Sequence, residues 1–149
     1  MPDLDPTDLD LLRHLRRDSR ISNADLAGKV GLSPSSCWRR VRALEEAGVI
    51  RRYSVVLDPE RLGETFQAIV HVHLTRHDPQ NVEGFIRAVQ AKDEVRDCFA
   101  TTGQSDYHLF VSCRDLASYN RFLETFLFRL PAVASAQTNV VLRTIKARD

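Results

Sequence analysis

The chain has 149 residues, 43% hydrophobic and 28% charged, the balance of a folded globular protein. Its 21 basic and 20 acidic side chains leave a net charge of +1, which excludes a uniformly basic nucleic-acid coat and an acidic disordered tail. No apolar run approaches the roughly 20 residues of a membrane span. The acidic start, Met1-Pro2-Asp3-Leu4-Asp5, lacks the order of a signal peptide. Cys37, Cys98 and Cys113 are an odd, scattered set, which points to a reducing cytoplasm and away from a disulfide framework or zinc ribbon.

Charge is unevenly placed. Residues 13–44 carry Arg13, Arg16, Arg17, Arg20, Lys29, Arg39, Arg40 and Arg42 against only Asp18 and Asp25. Residues 53–149 are close to neutral. A basic block on a neutral body suggests a module for a polyanion beside a module for something else. A solvated arginine-rich helix face fits the charge equally well.

Three helices are predicted first. Thr7-Asp8-Leu9-Asp10 opens one, with Thr7 as cap and Leu9, Leu12 and Leu15 as its stripe beside Leu11. Ser22-Asn23-Ala24-Asp25 is a capping pattern for the second, whose Ala27 permits a close helix crossing and whose Gly31 suits a tight turn. Ser33-Pro34 opens the third, with Cys37, Val41 and Leu44 as its buried stripe and Gly48 as its stop. Helix, short turn, helix is the helix-turn-helix layout. A step of ~100° per residue places Ser35, Arg39, Arg42 and Glu46 opposite Cys37, with Ser36 and Trp38 flanking and Arg40 nearer the core edge. Serines and amides suit phosphates, and arginine suits guanine, so this face is expected to meet DNA.

Val49–Leu57 is β-rich and is expected to form a strand, either a wing or a link, before Asp58-Pro59 breaks it. Arg51 and Arg52 face phosphate or solvent. The remainder reads as strand-helix-strand twice. Phe66, Ala68, Val70, Val72 and Leu74 alternate; Val82, Phe85, Ile86 and Val89 stripe a helix from near Asn81. Residues 94–102 are extended, Gly103–Asp106 turns, and Tyr107, Leu109, Val111 and Cys113 alternate again. Asp115 caps a helix striped by Leu116, Tyr119, Leu123, Phe126, Leu127 and Leu130, and Val133–Ile145 is a last strand. The order βαββαβ is the ferredoxin-like split arrangement, an α+β class. Phe110, Val141 and Ile145 are expected on the uncovered sheet face, where a second subunit would cover them.

His71, His73 and His77 lack the acid or cysteine pattern that completes a metal site, so a polar sheet face is expected and no metal or cofactor. No GxSxG, Walker, GxGxxG or HExxH pattern occurs, and an enzyme finds little support. In the Gly103–Asp106 turn, Asp106 suits an ammonium, and Ser105 with free amides suits a carboxylate. A hairpin in which Asp106 bonds its own backbone suits the same residues.

The chain resembles the Lrp/AsnC family of leucine- and asparagine-responsive transcription regulators along nearly its whole length. The resemblance rests on Asp18-Ser19-Arg20-Ile21-Ser22, Val30-Gly31-Leu32-Ser33, Cys37-Trp38-Arg39-Arg40-Val41, Gly48-Val49-Ile50, Leu57-Asp58-Pro59, Thr102-Gly103, Asp106-Tyr107 and Val140-Val141-Leu142. It implies a winged helix-turn-helix domain over 1–52, a linker strand and hinge over 53–65, and a RAM effector and assembly domain over 66–149. The residues expected to contact DNA are Ser33, Ser35, Ser36, Trp38, Arg39, Arg40, Arg42 and Arg52. The resemblance implies an amino-acid effector near Thr102, Gly103, Gln104, Ser105, Asp106 and Tyr107, with Ser135, Gln137 and Thr138 approaching across subunits. It also implies homodimers assembling into tetramers or octamers on double-stranded DNA. Ser105 departs from the family, where an aromatic often stands. The rival readings are a ligand-independent protein that wraps DNA and a metal- or thiol-responsive sensor.

Overall fold

The computed structural model describes residues 4–75 and 79–146, which fall into two compact units dividing at Val56/Leu57.

In the first unit, α1 (Pro6–Arg17), α2 (Asn23–Lys29) and α3 (Pro34–Glu46) enclose one small core. Leu11, Leu26, Ala27 and Cys37 are buried, with Leu15, Ile21, Val30, Leu32 and Val41 packed around them. Helix α1 starts earlier than Thr7. Asp5 is its cap and Pro6 its first residue, because Asp5 and Asp8 form a reciprocal capping box that Thr7 cannot. Leu9 is half exposed and Leu11 is fully buried, so the stripe centres on Leu11 and Leu15 rather than on Leu9 and Leu12.

Ser22 caps α2 by accepting the Asp25 N–H. Gly31 then takes φ +68°, which lets the Leu32 N–H reach back to the Ala27 carbonyl at 2.9 Å and closes the helix as a Schellman turn. Asn23 Nδ2 donates to the Pro34 carbonyl at 2.7 Å, fixing the start of α3 against α2. Ser33 and Pro34 open α3 as the sequence implied. Residues 51–57 form no regular element and pair with no strand among the described residues, and Val55, Val56 and Leu57 are exposed. Their β-branched composition favours a strand, yet a strand needs a neighbour to bond.

The second unit contains β1 (Phe66–Leu74), α4 (Pro79–Gln90), β2 (Val95–Ala100), β3 (Tyr107–Cys113), α5 (Leu116–Thr125) and β4 (Val133–Val140), with a single 3₁₀ turn at Leu127–Arg129. The strands lie in the order β2-β3-β1-β4, every neighbour antiparallel. Ala68, Val70, Val72, Leu109, Val111 and Cys113 meet Phe85 and Val89 of α4 and Tyr119 and Phe122 of α5 in the second core. Two expectations shift. Leu116, first residue after the Asp115 cap, faces solvent, and Phe122 takes its place in the core. β4 ends at Val140: Val141 donates to Gln67 at the start of β1, where the ladder runs out, and Ile145 lies beyond it. Cys98 is exposed on edge strand β2, whereas Cys37 and Cys113 are buried.

Candidate DNA interface and effector site

The N-terminus of α3 presents a cluster of hydroxyls. Ser33 Oγ accepts the Ser36 N–H at 3.3 Å, donates to Ser36 Oγ at 3.0 Å and lies 3.2 Å from Ser35 Oγ. These groups gather at the positive end of the helix macrodipole, where an anion is favoured. Trp38 follows, 60% exposed. Arg39 is exposed and makes no ion pair among the described residues. Arg42 is half exposed and pairs with Glu45 at 3.2 Å and Glu46 at 3.6 Å. Such surface pairs are worth about 0.2–1 kcal/mol, so exchanging them for a phosphate or a base edge is cheap. Arg40 behaves differently: its Nη1 donates to Asp5 Oδ2 at 2.7 Å and Asp8 Oδ1 at 2.8 Å, on the edge of α1.

Glu45 has a second partner that the sequence did not reveal. Tyr53 Oη donates to Glu45 Oε1 at 2.8 Å, tying the segment after α3 to the end of that helix. Burial and this bond push the Tyr53 phenol up to about 12. Arg52 is exposed beside it.

In the second unit the Gly103–Asp106 turn sits at one end of the sheet. Gly103 has φ +139°, a conformation that side chains rarely adopt. Asp106 N–H donates to the Val72 carbonyl at 3.0 Å, and Asp106 Oδ2 accepts the Leu74 N–H at 2.8 Å. Asp106 thus ties β3 to the end of β1. A carboxylate has about four lone-pair sites, so this bond leaves capacity for an ammonium. Thr101 Oγ1 donates to the Ser105 carbonyl at 3.1 Å, and Ser105 is 8% exposed with its Oγ 3.4 Å from His73 Nε2.

Register places Ser135 opposite His73 and Gln137 opposite His71. Ser105, Asp106 and Ser135 therefore converge on the same sheet end, with His73 among them. Gln137 lies two residues along. Thr138 lies on the helix face, its Oγ1 2.5 Å from Tyr119 Oη, and the Tyr107 ring packs tilted against Phe85. Thr102 and Gln104 are exposed at the turn. His73 was legible only as a residue of the polar sheet face.

His71 Nδ1 meets His108 Nδ1 at 2.7 Å across β1 and β3, and Asn139 Nδ2 lies 3.0 Å from His71 Nε2. Among the described residues no group of three or more His, Cys, Asp or Glu side chains is placed to hold a metal ion. His77 lies outside the described residues. Burial pushes the Cys37 and Cys98 thiols up, and the Cys113 thiol up to about 11 with help from Glu94 and Glu64.

A helix-turn-helix with an exposed polar reading helix, joined to a four-stranded sheet domain with helices on one face, defines a DNA-binding regulator with a ligand-binding domain. Residues 4–51 match the winged helix-turn-helix DNA-binding family, and residues 67–149 match the Lrp/AsnC ligand binding domain. The chain belongs to the Lrp/AsnC family of transcriptional regulators. It is 42% identical over 143 residues to the leucine-responsive regulatory protein of Haemophilus influenzae, covering 96% of this chain and 86% of that protein. It is 34% identical to the transcriptional regulator AzlB of Bacillus subtilis, covering 96% and 91%. Among solved structures, a transcriptional regulator from Neisseria meningitidis in complex with L-Met superposes with a TM-score of 0.95 at 36% identity, covering 98% of this chain and 94% of that one. No helix among the described residues is long and apolar enough to cross a membrane.

Proposed function

We propose that the chain is a cytoplasmic, sequence-specific regulator that reads double-stranded DNA with α3 and is tuned by an amino acid held at the end of its sheet. The observation that carries the DNA half is the open N-terminal face of α3. There the Ser33–Ser36 hydroxyls, Trp38 and the unengaged Arg39 stand together at the positive helix end. Ser35, Arg42 and Arg52 extend that face. The ligand half rests on Gly103–Asp106 beside His73 and Ser135, with Thr102 and Gln104 exposed at the turn and Gln137 two residues along the same face; Tyr107 and Thr138 belong to the helix face behind it. Its chemical class is supported by the L-Met complex of the Neisseria relative. The functional division is 1–52 for DNA, 53–65 as hinge and 66–149 for effector and assembly, in a homodimer that builds tetramers or octamers. No cofactor or catalysis is part of this reading.

Thermal shift against the twenty amino acids, followed by operator binding with and without each hit, tests both halves. A native-state ligand raises the melting midpoint. One observation favours a second reading: Asp106 already braces Leu74, as a plain structural turn requires. A chain that binds operator tightly but shows no amino-acid shift is the ligand-independent architectural protein.

A further inference from the structure

Arg40 and two aspartates of α1 form a closed polar set. Asp5 Oδ1 accepts the Asp8 N–H at 2.8 Å, and Asp8 Oδ2 accepts the Asp5 N–H at 3.2 Å, which caps α1. The remaining oxygen of each carboxylate accepts Arg40 Nη1, at 2.7 and 2.8 Å. Every oxygen of the pair is thus committed, half to α1 and half to α3. The Asp8 side chain is only 15% exposed and that of Arg40 35%, so this contact is better shielded than the Arg42 pairs. The Asp8 backbone N–H and the Arg40 guanidinium hold the Asp5 carboxyl below its usual range, against some desolvation. Hydrogen bonds to Asp8 and Asp5 raise Arg40 in turn.

We propose that Arg40 is a positioning residue of the DNA-reading helix, which fixes the rotation of α3 against α1 and does not itself contact DNA. This rests on the assignment of α3 as the reading helix. The Cys37–Val41–Leu44 stripe holds α3 by apolar packing, which is non-directional. A charge-assisted contact is directional. Arg39 precedes Arg40 by ~100° around the helix and Arg42 follows it by two such steps, so the angle of Arg40 sets where both point. Asn23 pins the helix start through the Pro34 carbonyl, and Arg40 pins its middle.

The experiment measures affinity for operator and for unrelated duplex DNA over a salt series, well below the melting temperature of each variant. The variants are Arg40→Gln, Asp8→Asn, their double, and Arg39→Ala. Asp5→Asn is a second acid variant that retains a good N-cap residue. The proposal expects Arg40→Gln to weaken operator binding about tenfold, the size of one lost base contact. Unrelated DNA and the salt slope stay unchanged. Asp8→Asn and Asp5→Asn weaken operator binding too, although each removes a negative charge that repels DNA. The double variant is no worse than either single change. A fold defect alone would not move the operator-to-unrelated ratio in this way. A salt slope reduced by about 0.9 in Arg40→Gln, with both DNAs weakened alike, makes Arg40 a phosphate contact and overturns the proposal. Tighter operator binding by Asp8→Asn overturns it as well. Normal operator binding by Arg39→Ala marks a different failure, that of the reading face itself.

Discussion

Neighbouring arginines of one helix have three different employments. Arg39 is unengaged, Arg42 is loosely held by Glu45 and Glu46, and Arg40 is committed to α1. If Arg39 contacts a base, Arg39→Ala costs about 1–3 kcal/mol in operator affinity and relaxes one operator position, read by binding to a panel of point-changed operators. At the other unit, Gly103 at φ +139° meets no neighbour within 4 Å of where a Cβ would sit, so any penalty for Gly103→Ala is conformational. That penalty is about 1–3 kcal/mol, visible as a lowered melting midpoint of the ligand-free chain. An unchanged midpoint means the turn is free to relax. Asp106→Ala tests two roles at once. Loss of effector response with a normal midpoint marks a ligand group, whereas loss of both marks the brace to Leu74.

At the scale of the element, the stripe Cys37–Val41–Leu44 and the alternation in β1 and β3 were legible because burial follows periods of 3.6 and 2. The caps Ser22, Ser33 and Asp115 were legible because they act within three residues. One local contact, the Asp5–Asp8 cap of α1, was also missed, but most of what failed depended on partners far along the chain. Residues 49–57 and 141–145 have strand composition but, among the described residues, pair with no strand. Arg40 finds Asp5 across 35 residues, and His71 finds His108 across 37, distances that only the fold supplies. The convergence of Ser105 and Ser135 on His73 likewise follows from register.

Tyr53 offers a pH test of such a contact. Its phenol is raised from 10 to about 12, so the stabilisation is complete below pH 10 and is lost as pH rises through about 12. The absorbance titration of the chain minus that of Tyr53→Phe isolates this phenol, and titration near pH 10 would mean the Glu45 contact is not held. The acid side has the opposite sign. Hydrogen bonds from the Asp8 and Ser118 backbones hold the Asp5 and Asp115 carboxyls below the usual 3.8, so both caps are intact above that pH and fail as it falls further.

For the whole molecule, the proposed assembly would use the uncovered sheet face. It carries Ile69, Phe99 and Phe110 among His71, His108, Gln137 and Asn139, a more polar mixture than Phe110, Val141 and Ile145 implied. Sedimentation of the intact chain at micromolar concentration is expected to show a dimer or larger, and a monomer would remove this face as an interface. In the proposed regulator, one chain couples DNA reading to an amino acid. Operator affinity of the intact chain, measured by fluorescence anisotropy while each of the twenty amino acids is titrated in turn, tests it most directly. At least one amino acid is expected to shift affinity by roughly 5- to 150-fold, the span of a coupling of about 1–3 kcal/mol. Tight operator binding with one unchanging affinity across all twenty would contradict it.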